Sequence, residues 1–443
     1  MPTAENLSSK KPAAASVAPV GIALLGCGVV GSSVARLLAE KGGTYAERLG
    51  RPLSLVGAAV RDVRRARDVD PALLTTDAAA LATMPDVHIV VEVMGGVKPA
   101  RELLLAAIRA GKHVVTANKE VLARHGAELF AAAREAGVGV YFEGAVAGGI
   151  PLVLPLLRSM AANSVQGVFG IVNGTTNYIL TRMSEEGAPY AEVLAEAQRL
   201  GYAEADPASD VEGHDAAYKI AILAGLISGR RVPIEGVGRE GITQIAPVDL
   251  KYARDLNYAV KLLAIARRGA DGRLEVRVNP AMIPVQHPLA SIRLVTNAVA
   301  VKGDAVGEVV FSGPGAGGMP TASAVVADIL NAAEALGGPG PLVAPGGNGD
   351  ADLLPDREVV SAFYLRLTAD DKPGVLGALG TRFGTHGVSI RLFVQRVAAE
   401  GKAELVFVTH PVAEGAFRDA IAKISNHSAI QKVECIIRVE DDV

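Results

Sequence analysis

The sequence has no tryptophan and only two cysteines, Cys27 and Cys435, among 443 residues. Two thiols so far apart exclude a disulfide framework and a cysteine-ligated metal cluster, and they suit a reducing, cytoplasmic compartment. No apolar run approaches the roughly 18 residues of a membrane-spanning helix, so no membrane partner is expected. Charge of one sign is also scarce: 44 Lys and Arg face 47 Asp and Glu, a net charge of -3. That balance leaves no basic footprint for nucleic acid and no polybasic patch for anionic lipid. The eight histidines show no His-x-x-x-His spacing, so no zinc site is expected. A small molecule is the partner that remains.

What the chain has in quantity is apolar residues, which make up half of it. Its length exceeds what one core supports and predicts about two to four domains. Residues 1–18, rich in Ser, Ala and Pro and without apolar periodicity, read as a disordered tail. The stretch PVGIALLGCGVVGSSVARLL at 19–38 then admits two readings. Leu24-Leu25-Gly26-Cys27 has the look of a lipoprotein cleavage site, but Pro19 and Gly21 break the apolar segment that a signal peptide needs. The other reading is Gly26-x-Gly28-x-x-Gly31 between a buried strand and an amphipathic helix, the phosphate loop of a dinucleotide-binding fold. The expected cofactor contacts on this loop are Gly26, Gly28, Val29, Val30 and Gly31.

Near-continuous apolar runs at 53–60, 88–94 and 113–117 have helical segments between them, the pattern of parallel strands covered on both faces in a doubly wound α/β sheet. Their ends add Gly95 and Thr116 to the expected cofactor set. After the second strand, Arg61 precedes Asp62, which favours NADP over NAD; a solvated charged loop is the alternative. Lys119 opens a helix where a cation opposes the helix dipole, at the sheet edge where ligands bind, so it reads as a functional lysine or else as an ordinary surface one.

The densest polar cluster is GYAEADPASDVEGHDAAYKIAILAGLISG at 201–229. Asp215 and Lys219 are four residues apart and share a helical face, either as a substrate-orienting acid and proton-transferring lysine or as a surface ion pair. His214 reads as a hydrogen-bonded structural group. Glu143, in a Gly-rich crossing at 141–157, is a candidate partner for a hard cation or part of a plain hinge. Asn173-Gly174-Thr175-Thr176-Asn177 reads as a polar turn suited to a small polar ligand.

Taken in order, the glycine loop, Thr116 to Lys119, Glu143 to Pro151, Asn173 to Asn177 and above all Gly201 to Lys219 resemble homoserine dehydrogenases over residues 19–338. The resemblance implies NAD(P)-dependent, reversible reduction of L-aspartate 4-semialdehyde to L-homoserine. It implies an NAD(P) domain at 19–150 with a return segment at 306–338, around an α+β catalytic and dimerisation domain at 151–305. By matching motif, Lys219 resembles the proton donor and Lys119 a second proton or charge partner. Gly174, Thr175, Glu204, Asp210 and Asp215 resemble the substrate-binding residues, and Gly315 a cofactor contact. Glu143, with the backbone oxygens of Val146, Gly148 and Ile150, resembles a sodium site.

After a Gly- and Pro-rich linker at 339–357, residues 358–443 read as a separate βαββαβ unit. It resembles the ACT domain, centred on DKPGVLGALGTRFGTHGVSI. This implies a homodimer or homotetramer and feedback inhibition, with L-threonine as the effector, or a unit serving assembly alone. Two rivals stay open: another ACT-bearing dehydrogenase such as a phosphoglycerate dehydrogenase, and a non-catalytic sensor of nucleotide and amino acid. With no further domain ahead of residue 19, a bifunctional chain with an aspartate kinase is not expected.

Overall fold

The computed structural model of the protein describes residues 18–336, 349–399 and 401–443. The expected tail, save its last residue, and residues 339–348 of the expected linker lie outside the described residues. The chain opens with β1 (Val20–Leu25), whose six residues are all buried, and continues through α1 (Val29–Leu49), β2 (Leu53–Ala59), β3 (Leu74–Thr75), α2 (Ala78–Thr83) and β4 (Ile89–Glu92). After these come α3 (Ala100–Arg109), β5 (His113–Thr116), α4 (Lys119–Ala136) and β6 (Val140–Tyr141). The six strands form one sheet in the order β3-β2-β1-β4-β5-β6, parallel throughout. Order reverses beside β1, and a ligand crevice opens where the strands around such a switch end.

The chain then enters a second layer with β7 (Val165–Ile171), α5 (Gly174–Glu186), α6 (Tyr190–Arg199), α7 (Ala208–Val211) and α8 (His214–Ser228). It continues with β8 (Gly238–Arg239), α9 (Pro247–Asp255), β9 (Tyr258–Arg268), β10 (Leu274–Pro284), β11 (Thr296–Gly303) and β12 (Gly307–Pro314). Helix α10 (Gly318–Ala335) returns to the first domain and packs along α1. The expected polar turn at 173–177 is instead the start of a helix: the Asn173 side chain accepts the Thr176 N–H and caps α5. Turn and N-cap draw on the same residue types, which is why composition alone did not separate them.

The C-terminal unit has the expected βαββαβ order: β13 (Val360–Asp370), α11 (Val375–Thr385), β14 (Ile390–Ala399), β15 (Lys402–Thr409), a short β16 (Val412–Ala413), α12 (Glu414–Ser425) and β17 (Ile430–Val439). Its sheet does not stand apart. β17 pairs with β10 in parallel, Ala281 opposite Arg438 and Met282 opposite Val439. One mixed sheet therefore runs β12-β11-β7-β9-β10-β17-β13-β15-β14, with β8 beside β10 and β16 beside β13. The segment ahead of it is pinned as well: Arg231 bridges Asp350, and Leu274 pairs with Leu353.

Buried charge seals this junction. Asp249 is fully buried on α9 and takes both arms of the Arg366 guanidinium, at 2.6 and 3.0 Å, and the Tyr364 hydroxyl at 2.9 Å. Arg277 pairs with Glu275 at 2.6 Å and with Glu440, and Arg438 pairs with Glu240 at 2.6 Å and Glu414 at 2.9 Å. Such pairs add little when intact but are costly to break, because the surviving partner keeps a buried, unanswered charge. Asp249→Ala should lower the unfolding free energy by about 3–5 kcal/mol. Asp350→Ala, which breaks an ion pair nearly half exposed on both sides, should cost under about 1 kcal/mol. Urea denaturation of the two variants side by side measures the difference.

Candidate active site

A cleft of about 940 Å³ lies between the carboxyl ends of the parallel strands and the second domain. Its nucleotide side is built from glycine. Gly26 has φ +100°, and a Cβ on Gly31 would sit 2.1 Å from the Gly26 carbonyl oxygen, so both positions demand glycine. Gly28 precedes α1 with no side-chain cap, which leaves the first N–H groups of the helix available to an anion. Val30 lines the cleft, whereas Val29 is largely exposed. A pyrophosphate fits this cradle.

Arg61 is exposed and makes no hydrogen bond among the described residues. Its neighbour Arg67, which sequence reasoning passed over, is the arginine that touches the loop. Arg67 donates to the carbonyl of Cys27 at 3.3 Å and to those of Asp62 and Arg65, both at 2.8 Å. Asp62 pairs with Arg64 in solvent.

Glu92, at the end of β4, is fully buried and was also missed. Burial pushes its carboxyl above the usual range, opposed by hydrogen bonds from Thr116, Met94, Gly95 and Asn118. The Thr116 hydroxyl donates to Glu92 at 2.7 Å and accepts the Asn118 N–H at 3.0 Å. Thr116 is therefore a support beneath the cleft rather than part of its lining, while Gly95 lines it. Asn118 in turn caps α4 through the Val121 N–H, which sets the starting point of Lys119.

The polar centre is Asp215. It sits in the first turn of α8, where a carboxylate complements the helix dipole, and only 6% of it is exposed. Lys119 approaches one carboxylate oxygen at 2.9 Å and Lys219 the other at 2.7 Å. Asn173 donates to the second oxygen at 3.0 Å and to Asp210 at 2.7 Å, tying the two acids together. Lys219 also donates to the Val172 carbonyl at 2.6 Å. Burial alone would raise the Asp215 carboxyl, but the charges of Lys219 and Lys119 outweigh it and hold it well below the usual carboxylate range. Lys119 shows the counterpart: burial would lower it, and Asp215 keeps it above the ordinary lysine value. Asp210 moves the other way, raised by burial and by the Asp215 charge despite the bond from Asn173.

The remaining expected residues divide. Gly174, Thr175, Glu204, Gly148 and Gly315 all line the cleft. A Cβ on Gly174 would lie 2.9 Å from the Val295 carbonyl oxygen, and the Thr175 hydroxyl donates to the Tyr202 carbonyl at 2.6 Å. Glu204 is exposed, and its carboxylate has no hydrogen-bond partner among the described residues. His214 stands on the surface beside Glu212 at 3.3 Å, the structural role expected of it. Glu143 is buried, and its carboxylate accepts the N–H groups of Leu152, Val153 and Leu154 at 2.5, 2.7 and 2.9 Å. No cluster of three or more His, Cys, Asp or Glu suited to a metal occurs among the described residues, and none of their helices is long and apolar enough to cross a membrane.

Comparison with known proteins agrees with this geometry. Residues 151–330 match the homoserine dehydrogenase family model, residues 26–143 its NAD-binding domain and residues 363–427 the ACT domain. A homoserine dehydrogenase of Synechocystis is 47% identical over 429 residues, covering 95% of this chain and 99% of that one. The crystal structure of a homoserine dehydrogenase from Thiobacillus denitrificans superposes with a TM-score of 0.91 at 42% identity, over 96% of this chain and 98% of that one. A hyperthermophilic archaeal homoserine dehydrogenase in complex with NADPH superposes with a TM-score of 0.62 at 29% identity, over 73% and 99%. Neither rival reading of the sequence accounts for these matches.

The Asp215 clamp has a consequence for acid stability. A carboxyl held below its unfolded value, about 3.9, adds stability that is complete above about pH 4 and is lost as the pH falls further. As the pH falls from about 4 toward 2 the unfolding free energy should therefore drop more steeply in the wild type than in Asp215→Asn. Parallel curves in urea titrations would remove Asp215 from the account.

Proposed function

Because the chain belongs to the homoserine dehydrogenase family, oxidoreductases acting on a CH–OH group with an NAD(P)-binding domain and here a C-terminal ACT domain, we propose that it reduces L-aspartate 4-semialdehyde reversibly to L-homoserine. The observation that carries this reading is a buried carboxylate held between two lysines at the mouth of a glycine-built nucleotide cradle.

Bound NAD(P)H supplies the hydride. Lys219 is the proton donor to the aldehyde oxygen, its ammonium oriented by Asp215 and the Val172 carbonyl. A cation beside the forming alkoxide both stabilises its charge and delivers the proton. Lys119, more exposed than Lys219, is the second charge partner and faces both cofactor and substrate. Glu204, with its carboxylate free, takes the substrate ammonium; Asp210 and Asp215 complete the acidic wall, and Gly174 and Thr175 bring backbone to the substrate. Gly26, Gly28, Val30, Gly31, Gly95 and Gly315 receive the nucleotide.

Arg61 is free to meet a 2'-phosphate, with Arg67 bracing the loop beside it, which favours NADP. Three of the four acceptor positions on the Glu143 carboxylate are filled. One is left for a structural monovalent cation, with the carbonyls of Val146, Gly148 and Ile150 as its other ligands. The long sheet ends in β12 and β14, and pairing of such edges with a second copy supports a homodimer or homotetramer. The ACT domain supports feedback inhibition by L-threonine in a cytoplasmic biosynthetic enzyme.

The test is steady-state oxidation of L-homoserine, followed by nicotinamide absorbance with NAD and NADP in parallel, with and without L-threonine. The expected outcome is turnover favouring NADP and falling as threonine is added. Lys219→Ala should lower turnover by about two to four orders of magnitude while leaving nucleotide affinity nearly unchanged. A loss under about tenfold would transfer the proton-donor role to Lys119.

A further inference from the structure

A parallel strand covered on both faces favours apolar residues throughout. β4 keeps to this with Ile89, Val90 and Val91 and then ends on Glu92, which is fully buried like the other three. No Lys, Arg or His among the described residues forms an ion pair with it. A buried carboxylate answered only by neutral donors is a costly choice of residue. Departures of this kind from the local pattern concentrate where function requires them.

The Glu92 carboxylate faces two ways. Its Oε1 accepts the N–H groups of Met94 at 2.8 Å and Gly95 at 3.3 Å, which fastens the turn through Gly95 and Gly96 on the nucleotide side of the cleft. Its Oε2 accepts the hydroxyl of Thr116, the residue opposite it in the β4–β5 ladder, at 2.7 Å. A hydroxyl has a single proton, so with that proton given to Glu92 the Thr116 oxygen turns lone pairs outward, and one of them accepts the Asn118 N–H at 3.0 Å. Asn118 then caps α4 through the Val121 N–H at 3.2 Å and donates to the Gly96 carbonyl at 2.7 Å. The next residue is Lys119. An unbroken chain of hydrogen bonds thus runs from Glu92 through Thr116 to the residue ahead of the lysine, while the other arm of the same carboxylate holds the glycine turn.

We infer that Glu92 is a positioning residue for the reaction, fixing the start of α4, and with it Lys119, in register with the Met94–Gly96 turn that meets the nucleotide. The chemistry calls for a carboxylate, the side chain that accepts at both ends. Lys119 needs such a hold because a cation in the first turn of a helix is opposed by the helix dipole. Misplacing a reacting group by about an ångström can cost up to a hundredfold in rate. The inference rests on the reading of Lys119 as the second charge partner.

The experiment is a double-mutant cycle on the full-length protein, read as kcat for homoserine oxidation at saturating nucleotide and homoserine. Glu92→Leu and Thr116→Val are each made alone and together with Lys119→Ala. Alone, each should lower kcat about tenfold. In the Lys119→Ala background each should lower it by less than about twofold, because the lysine that carries the effect is gone. Thr116→Ser, which keeps the hydroxyl, should restore the wild-type kcat, and Glu92→Leu, which also frees the Gly95 N–H, should raise the nucleotide KM. Should Glu92→Leu fail to fold, the nearly isosteric Thr116→Val carries the test. A Thr116→Val protein with wild-type kcat overturns the inference, as do losses that multiply undiminished with that of Lys119→Ala, the result expected of a merely structural role. A Lys119→Ala protein as active as the wild type refutes the charge-partner reading and the inference with it. A wild type that does not oxidise homoserine refutes the dehydrogenase reading beneath both.

Discussion

Asp215 is the charge around which the cleft is arranged. It is buried, it lies between ammonium groups from two domains, and among the described residues neither lysine has another carboxylate at such short range. Lys219 is nearly as buried as Asp215, so without this partner it would be a buried charge with no counter-ion, which is costly. Lys119 arrives from α4 of the nucleotide domain and Lys219 from α8 of the second, so the same carboxylate joins the two walls of the cleft. Asp210, tied to Asp215 through Asn173, stands beside the clamp, so the two ammonium groups, rather than any net charge, are what the site offers to an oxygen about to gain negative charge.

Much of the supporting work falls to amides and backbone rather than to further charges. Asn118 and Asn173 each cap a helix with one end of the side chain and reach into the cleft wall with the other. Asn177 gathers three carbonyls of one loop. Neutral groups of this kind fix direction without adding to the electrostatic load, so the potential in the cleft remains that of its lysines and acids. Where a charge is used instead, as at Glu92, a buried carboxylate, its cost is offset by donors from four residues.

The parts legible in the sequence were those whose partners lie close along the chain. The glycine loop with its flanking strand and helix, the successive parallel strands, and the i, i+4 pairing of Asp215 with Lys219 all declare themselves within a few residues. What stayed hidden depends on distant donors. Glu92 sits in an apolar run and looks like an interruption until Thr116 and Asn118 are brought to it, and Asn173 passed for a turn residue because its link to Asp215 spans 42 positions. The donors to Glu143 come from residues 152–154, which read as a plain apolar stretch. The C-terminal unit was readable as a βαββαβ fold, but the Asp249–Arg366 contact that ties it down joins residues 117 positions apart.

The shared sheet has a mechanical consequence. β10 carries β17 along its edge and α8 against its face, so the strand acts as a common beam for the C-terminal module and for the helix that bears Asp215 and Lys219. A second route runs beside it. Glu240, gripped by Arg438 and Arg418, is two residues from Ile242, whose N–H holds the Val211 carbonyl just ahead of α8. The C-terminal strands are thus joined to α8 twice, across β10 and through the Glu240 to Ile242 segment, with no hinge segment in either connection.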